Sequence, residues 1–574
     1  MGSARKKRRH EAEDRRAARD GAGAALPDPP PAAPAGPGWS RWTLAAGIAV
    51  LAVYAFLRAF ALHPTLNDEN IYFYLARAWT ERGVMPYRDA FLSHPPLQIL
   101  LVAGVYEVFG YSFAAGKVLT AAASLASGVF VLVAARRRVG PIASVAAALL
   151  CLFSYDWLRS ASHFTGINES VAFLTAGTWL LLERRDRASG VAFGLAAATG
   201  VYTVPTAFVA GVLVLLRGLR PAIGFGLGFA APVALFNGLF LVLAGPEFIG
   251  QVYLYHLAKS ASSGEGIRVG QAVLGQNLPL VASALAGGVA AFLPVVRTWG
   301  RGGPRAWFWG EDGPACAARI AFVLHLAAVF FVASQPRSFN YYWLLAFPTA
   351  AIAGGYLFER IAARVAHVRG SRASRAWTGL AATGAVVIVA GQGPIANFLL
   401  DVDEDAGEVR AYRWRPSPLP SPLDATVKAV FWGGDQREMS TEENAVTRWL
   451  WHESRGCDVI DEAAAIVAAD SAPGEGVFGH SHLAPLVALL ANRKLAGEVA
   501  DTNVMRLSAG NLVPSEIIRK IEQDGLRFVI SKGGRGLLGT PEFREWLKSG
   551  AFANPRVLTD PYYGDIVLLR RNGG

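Results

Sequence analysis

Cysteine is nearly absent from this chain: three residues in 574, at positions 151, 316 and 457. Cys151 and Cys316 fall in or beside apolar runs and Cys457 stands alone, which excludes a disulfide framework and a thiolate metal site. Charge is also scarce, at 17% of residues against about 25% for soluble domains. No G-x-x-x-x-G-K-S/T spacing occurs, since Ser531-Lys532-Gly533-Gly534-Arg535-Gly536 lacks it, so a P-loop is excluded. No repeat of fixed period is present. The first apolar run, about 41 to 62, is too long for a cleaved signal core and lacks a small-residue cleavage site, so it reads as an uncleaved span.

What is there is apolar: 52% of residues, in long runs separated by arginine clusters. Further spans are expected at 112–135, 141–158, 168–183, 221–243, 272–296, 316–334, 343–360 and 376–396. The segment 188–216 reads either as one kinked span or as two short helices turning near Tyr202-Thr203-Val204-Pro205. Charge decides. Two short helices put Arg136–Arg138, Arg184/Arg185/Arg187, Arg217/Arg220, Arg297/Arg301/Arg305 and Arg360/Arg364/Arg369/Arg372/Arg375 on the side of the basic N-terminus, as the positive-inside bias requires. The net charge of +11 is thereby a matter of topology, and nucleic acid is not an expected partner.

The expectation is an all-α polytopic membrane protein with about 11 spans, a cytoplasmic N-terminus and an exoplasmic C-terminus. Residues 1–38 read as a disordered basic tail, 39–396 as the membrane domain, 397–445 as a Pro-rich irregular linker and 446–574 as a small α/β domain. In that last part Val477-Phe478-Gly479, Arg527–Ile530 and Asp565–Leu569 read as strands, and Pro514–Asp524 and Pro541–Lys548 as helices.

Between the first two spans lies the most informative stretch. Asn67 suits a helix N-cap, and Asp68 and Glu69 fall in the first turn, where the helix dipole favours ionised carboxylates. Ile71, Tyr74, Leu75, Ala78 and Trp79 keep helical spacing up to a stop at Gly83, while Arg77, Glu81 and Arg82 rule out a span, so this helix should lie at the interface. Leu97–Phe109, after Pro95-Pro96, is again too short to span.

Taken as a set, Asp68-Glu69-x-x-Tyr72, Gly83-x-x-Pro86-Tyr87, His94-Pro95-Pro96-Leu97 and Phe109-Gly110 resemble the GT-C superfamily of polyprenyl-phosphate-sugar glycosyltransferases, which includes the protein O-mannosyltransferases and the aminoarabinose transferases acting on lipid A. Asn168-Glu169, Pro336-Arg337, Tyr341-Tyr342 and Pro348 extend the match more weakly, and it covers roughly residues 41–396. The resemblance implies a GT-C fold and an inverting transfer of a single sugar from a polyprenyl phosphate to a glycan, lipid or protein acceptor at the outer face of the cell (inner) membrane. Asp68 would act as general base, with Glu69 the other catalytic acid. His94, Arg337 and Tyr341 would bind the donor phosphate, with Glu169 and Asp156 as second acidic positions. Where relatives carry lysine before the two prolines, this chain carries His94, the O-mannosyltransferase form. No cofactor follows, and a divalent cation stays open.

Other readings of the whole chain are a lipid-linked-sugar flippase or an envelope polysaccharide polymerase or ligase. A flippase calls for charged or broken helices near the bilayer midplane, whereas the acids here lie at span ends. Two local patterns are set aside. Asp401-Val402-Asp403 opens an acidic linker and reads as a solvated charge run. His480-Ser481-His482 puts two imidazoles on one side of an extended segment, but no Cys/His cluster accompanies them as zinc would need.

Overall fold

The computed structural model describes residues 41–59, 62, 64, 66–161, 163–258, 265–297, 303–310, 313–335, 338–369, 458–532, 536–560 and 564–572. Two compact units divide the chain, Met1–Trp42 and Thr43–Gly574. Of the first, only Arg41 and Trp42 are described, and the second holds the helical bundle, the sheet and the site. The basic tail, the linker and the span expected at 376–396 lie outside the described residues.

Four described helices are long and apolar enough to cross a membrane: Phe113–Arg138, Leu219–Ala244, Leu278–Val296 and Pro314–Ser334. Leu219–Ala244 turns large apolar side chains outward, Val242 at 84% and Leu227 at 66% exposure, a surface that is stable only against lipid. This is a multi-pass membrane protein. Shorter apolar helices, among them Pro141–Leu152 and Ile167–Leu182, pack between the long ones. The expected span 141–158 breaks at Phe153-Ser154 into Pro141–Leu152 and Tyr155–Ser160, 272–296 is interrupted at Asn277 between Glu265–Gln276 and Leu278–Arg297, and 343–360 begins as a 3-10 turn, Asn340–Ala346, before Phe347–Arg369. The total of 11 spans therefore rests on the charge argument; helix length alone gives four among the described residues.

The segment 188–216 forms two short helices, Asp186–Thr199 and Val204–Leu215, around a 3-10 turn at Val201–Thr203. They fold back on each other. Asp186, at the start of the first, pairs with Arg217, just past the end of the second, at 2.5 Å. Phe225 lies against both Gly190 and Gly211, which sit at matching levels of the two helices. A Cβ on Gly190 would lie 2.1 Å from the Phe225 carbonyl oxygen, so this glycine sets how closely Asp186–Thr199 and the long helix Leu219–Ala244 approach. Gly190→Val is expected to force them apart and lower stability by about 1–3 kcal/mol, read as a drop in thermal midpoint in detergent; an unchanged midpoint would contradict this packing.

Among the described residues, Arg138, Arg184 and Arg217 come together at one end of the bundle. Arg138 pairs with Glu183 at 3.1 Å, close to the Asp186–Arg217 pair, and the Glu359 carboxylate accepts the amides of Ile142 and Ala143 at 2.9 Å. The turn at Tyr202 marks the opposite end, where Tyr202 meets Tyr342 with hydroxyls 3.2 Å apart.

The C-terminal part forms a five-stranded sheet in the order β2-β1-β3-β5-β4, with β1 Gly476–Gly479, β2 Lys494–Leu495, β3 Leu526–Lys532, β4 Arg556–Asp560 and β5 Gly564–Arg570. β1 runs parallel to β2 and β3, and β5 antiparallel to β3 and β4. The three expected strands and both expected helices are present, and the structure adds the two-residue β2, β4 and the helices Asp458–Ala469 and Ala484–Leu490.

This sheet is docked on the segment between the helices Arg41–Ala59 and Phe113–Arg138. The helix Glu69–Arg82 does not lie open at an interface: nine of its fourteen residues are buried, because Pro96–Phe109 packs on one side and Ala484–Leu490 on another. The Tyr74 hydroxyl accepts the Leu495 amide at 2.5 Å and Arg82 at 2.8 Å and donates to Glu498 at 2.7 Å, and Arg77 donates to Asn492. Tyr74→Phe would leave the buried Leu495 amide unpaired, costing about 1–3 kcal/mol. Faster amide exchange across 484–500 is the expected result, and unchanged exchange would mean that docking does not depend on this hydroxyl.

Candidate functional site

Asp68 sits at the N-cap of Glu69–Arg82, and the Asn67 side chain accepts the Glu69 amide at 2.8 Å, so both residues shape the helix start. Gly83 ends the helix in the left-handed region at φ 71°. Two residues far away in the chain meet the Asp68 carboxylate. Oδ1 lies 2.6 Å from Nε2 of His482, and Oδ2 accepts the Tyr341 hydroxyl at 3.3 Å. The carboxylate keeps 27% side-chain exposure and His482 32%, so the pair faces open space.

Burial works to raise the Asp68 carboxyl, but the His482 charge and hydrogen bond, then His94 and Tyr341, outweigh it and hold it at about 2. Burial likewise works to lower His482, and Asp68 reverses that into a net rise. Tyr341, raised well above its ordinary value by burial and by Asp68, stays a neutral donor.

His94 lies on the same side. Its Nε2 is 2.7 Å from the Tyr72 hydroxyl, and its carbonyl accepts the Tyr87 hydroxyl at 2.7 Å. Beyond it, His256 Nε2 contacts the Ser93 carbonyl at 2.8 Å, and the rings of Tyr202 and Tyr342 lie 4.5 Å apart. An aromatic and imidazole wall thus stands beside the carboxylate.

Glu69, next in sequence, points elsewhere. It is fully buried, with Oε1 2.7 Å from Lys117 Nζ and Oε2 accepting the Phe164 amide at 3.0 Å. One helical turn beyond Lys117, Thr120 donates to Oε1 of Glu169 at 2.9 Å, so one face of Phe113–Arg138 receives both glutamates. Asp156 is buried and accepts from Asn277 at 2.6 Å and from Asn340, neighbour of Tyr341, at 3.5 Å. Arg337 lies outside the described residues. Of the expected residues, then, the structure gathers Asp68, His94 and Tyr341, and turns Glu69, Glu169 and Asp156 into the bundle. It adds His482, which the sequence shows only as half of an unaccompanied histidine pair.

Among the described residues, no three His, Cys, Asp or Glu side chains gather as metal ligands. The arrangement suits proton transfer beside an anionic group held by neutral and cationic donors.

No family model matches the chain, and no curated protein matches it. Solved structures do. ArnT from Cupriavidus metallidurans bound to undecaprenyl phosphate is similar at 16% identity and TM-score 0.55, over 92% of this chain and 98% of that one. The apo state of the same protein is similar at 18% identity and TM-score 0.57, over 92% and 97%. The chain has the GT-C fold.

Proposed function

We propose that this protein is a glycosyltransferase that moves a single sugar from a polyprenyl-phosphate donor to an envelope glycan, lipid or protein acceptor at the outer face of the inner membrane. The reading is carried by one observation: an ionised carboxylate, Asp68, stands half-open at the end of the bundle opposite the arginine clusters, beside His94 and Tyr341. Supporting it is a fold shared with a protein solved with undecaprenyl phosphate bound. With the arginines facing the cytoplasm, Asp68 faces outward. Nucleotide sugars are cytoplasmic, so a donor on a lipid is the one such a site can reach.

In this mechanism Asp68 is the carboxylate on which deprotonation of the acceptor hydroxyl depends, and the acceptor oxygen attacks the anomeric carbon in line as the bond to the lipid phosphate breaks, with inversion. His94, Arg337 and Tyr341 hold the phosphate that leaves. Glu69 acts from behind: locked on Lys117, it fixes the backbone that carries Asp68. Glu169 and Asp156 set the neighbouring helix faces, Asp156 through Asn340 beside Tyr341. The domain order is the basic tail 1–38, the membrane domain 39–396, the linker 397–445 and the outer α/β domain 446–574.

Purified protein incubated with lipid-phosphate sugars, with and without chelator, tests this. Release of free lipid phosphate together with a glycosylated acceptor of inverted anomeric configuration is expected. Translocation of intact donor across vesicles without bond cleavage would replace the reading with a flippase.

A further inference from the structure

Each parallel strand of the sheet leads from its carboxyl end toward Asp68. His480 and His482 follow β1, Asp501 follows β2, and Lys532 closes β3. Open parallel sheets place functional loops at this edge. His482 is held in place by its backbone as well, since its carbonyl accepts the Asn70 side chain at 2.8 Å and its amide reaches Nδ1 of His480 at 3.4 Å. Its ring is engaged at one nitrogen only. Nε2 bonds Asp68, while Nδ1 has no hydrogen-bond partner among the described residues and the side chain keeps 32% exposure.

We infer that the proton of the acceptor hydroxyl goes to Nδ1 of His482, so that the C-terminal domain supplies a catalytic residue and Asp68 acts through it as the orienting carboxylate. The inference deepens the transferase reading and rests on it. The geometry is that of a base oriented by a third group. A carboxylate on one ring nitrogen fixes the tautomer with the proton on Nε2, leaves Nδ1 as the acceptor, and stabilises the imidazolium once it forms. The acceptor O–H proton passes to Nδ1, the acceptor oxygen bonds the anomeric carbon, and the electron pair of the broken bond leaves on the lipid phosphate. A carboxyl held at about 2 is a weak proton acceptor on its own, whereas that same carboxylate raises the imidazole above its ordinary value and makes it the stronger base.

The groups facing His482 set the sign of its pH dependence. Asp68 and Asp501 favour its cation, and Lys532 opposes it. His480, held at about 4 by burial and by the charge of His482, stays neutral. A base works unprotonated. The rate should therefore fall as pH drops through the raised His482 value, an acid limb above that of an ordinary imidazole. If Asp68 alone took the proton, the rate would stay flat down to about pH 4.

His482→Gln tests this in the full-length protein with a lipid-phosphate sugar as donor. The expected result is a loss of about 10²–10⁴-fold in kcat, a smaller change in KM, and disappearance of the acid limb. Full kcat with the limb intact would overturn the inference. Titration of His482 by nitrogen-15 NMR gives a readout independent of turnover: its pKa should fall in Asp68→Asn, and no change would overturn the coupling. If wild-type protein releases no lipid phosphate from any donor, the transferase reading fails, and the inference that rests on it fails too. A fall in the titration would then establish the Asp68–His482 pair alone.

Discussion

Asp68→Asn is expected to abolish sugar transfer, with kcat falling by about 10²–10⁴-fold while the protein remains in the membrane. The substitution keeps size and shape but removes the negative charge. An amide cannot stabilise an imidazolium, and if its NH2 group faces Nε2–H of His482, donor meets donor. The fold should survive, because this ion pair is partly exposed and contributes about 1 kcal/mol or less. Lipid-phosphate release is the measurement, with the thermal midpoint as control. Transfer at the wild-type rate would remove Asp68 from the mechanism.

Lys117→Met is expected to have the largest effect on stability. Lys117 and Glu69 are both fully buried and lie 2.7 Å apart, so removing the cation strands a carboxylate away from water, at a cost of about 3–5 kcal/mol. Thermal unfolding in detergent should show a clear drop in midpoint. Replacing both partners, as Lys117→Met with Glu69→Gln, should recover a large part of it, since the penalty comes from the unpaired charge and not from the lost attraction. A single variant with a wild-type midpoint would show that the pair does not anchor the start of Glu69–Arg82. Because Asp68 immediately precedes Glu69 in the chain, the single variant should also lose transfer activity beyond what its lower stability explains.

These two neighbouring acids mark where sequence reading stops. Both are legible as carboxylates at a helix start, because the cap, the apolar spacing and Gly83 are local signals. Their different fates are not. Adjacent residues at a helix start diverge by about 100° around the axis, and which direction meets water and which meets Lys117 depends on what packs there. The turn at Tyr202–Pro205 was legible for another reason: arginines on both sides constrain topology through charge, and the Asp186–Arg217 pair meets that constraint. The breaks at Phe153-Ser154 and at Asn340–Ala346 were not, since apolar composition continues across both.

By itself the sequence determined the class of molecule, the place of the long apolar helices, the strands β1, β3 and β5, and the acidic stretch on which the site is built. Each of these follows from hydropathy, periodicity and charge within a few residues of the feature. Only the tertiary structure decided that the C-terminal sheet covers Glu69–Arg82, that Glu69 is an anchor, and that His482 reaches Asp68 from some four hundred residues away. Those contacts come from one docking event, in which apolar surfaces of the loop and the sheet are buried together, and burial between distant segments leaves no period in either of them.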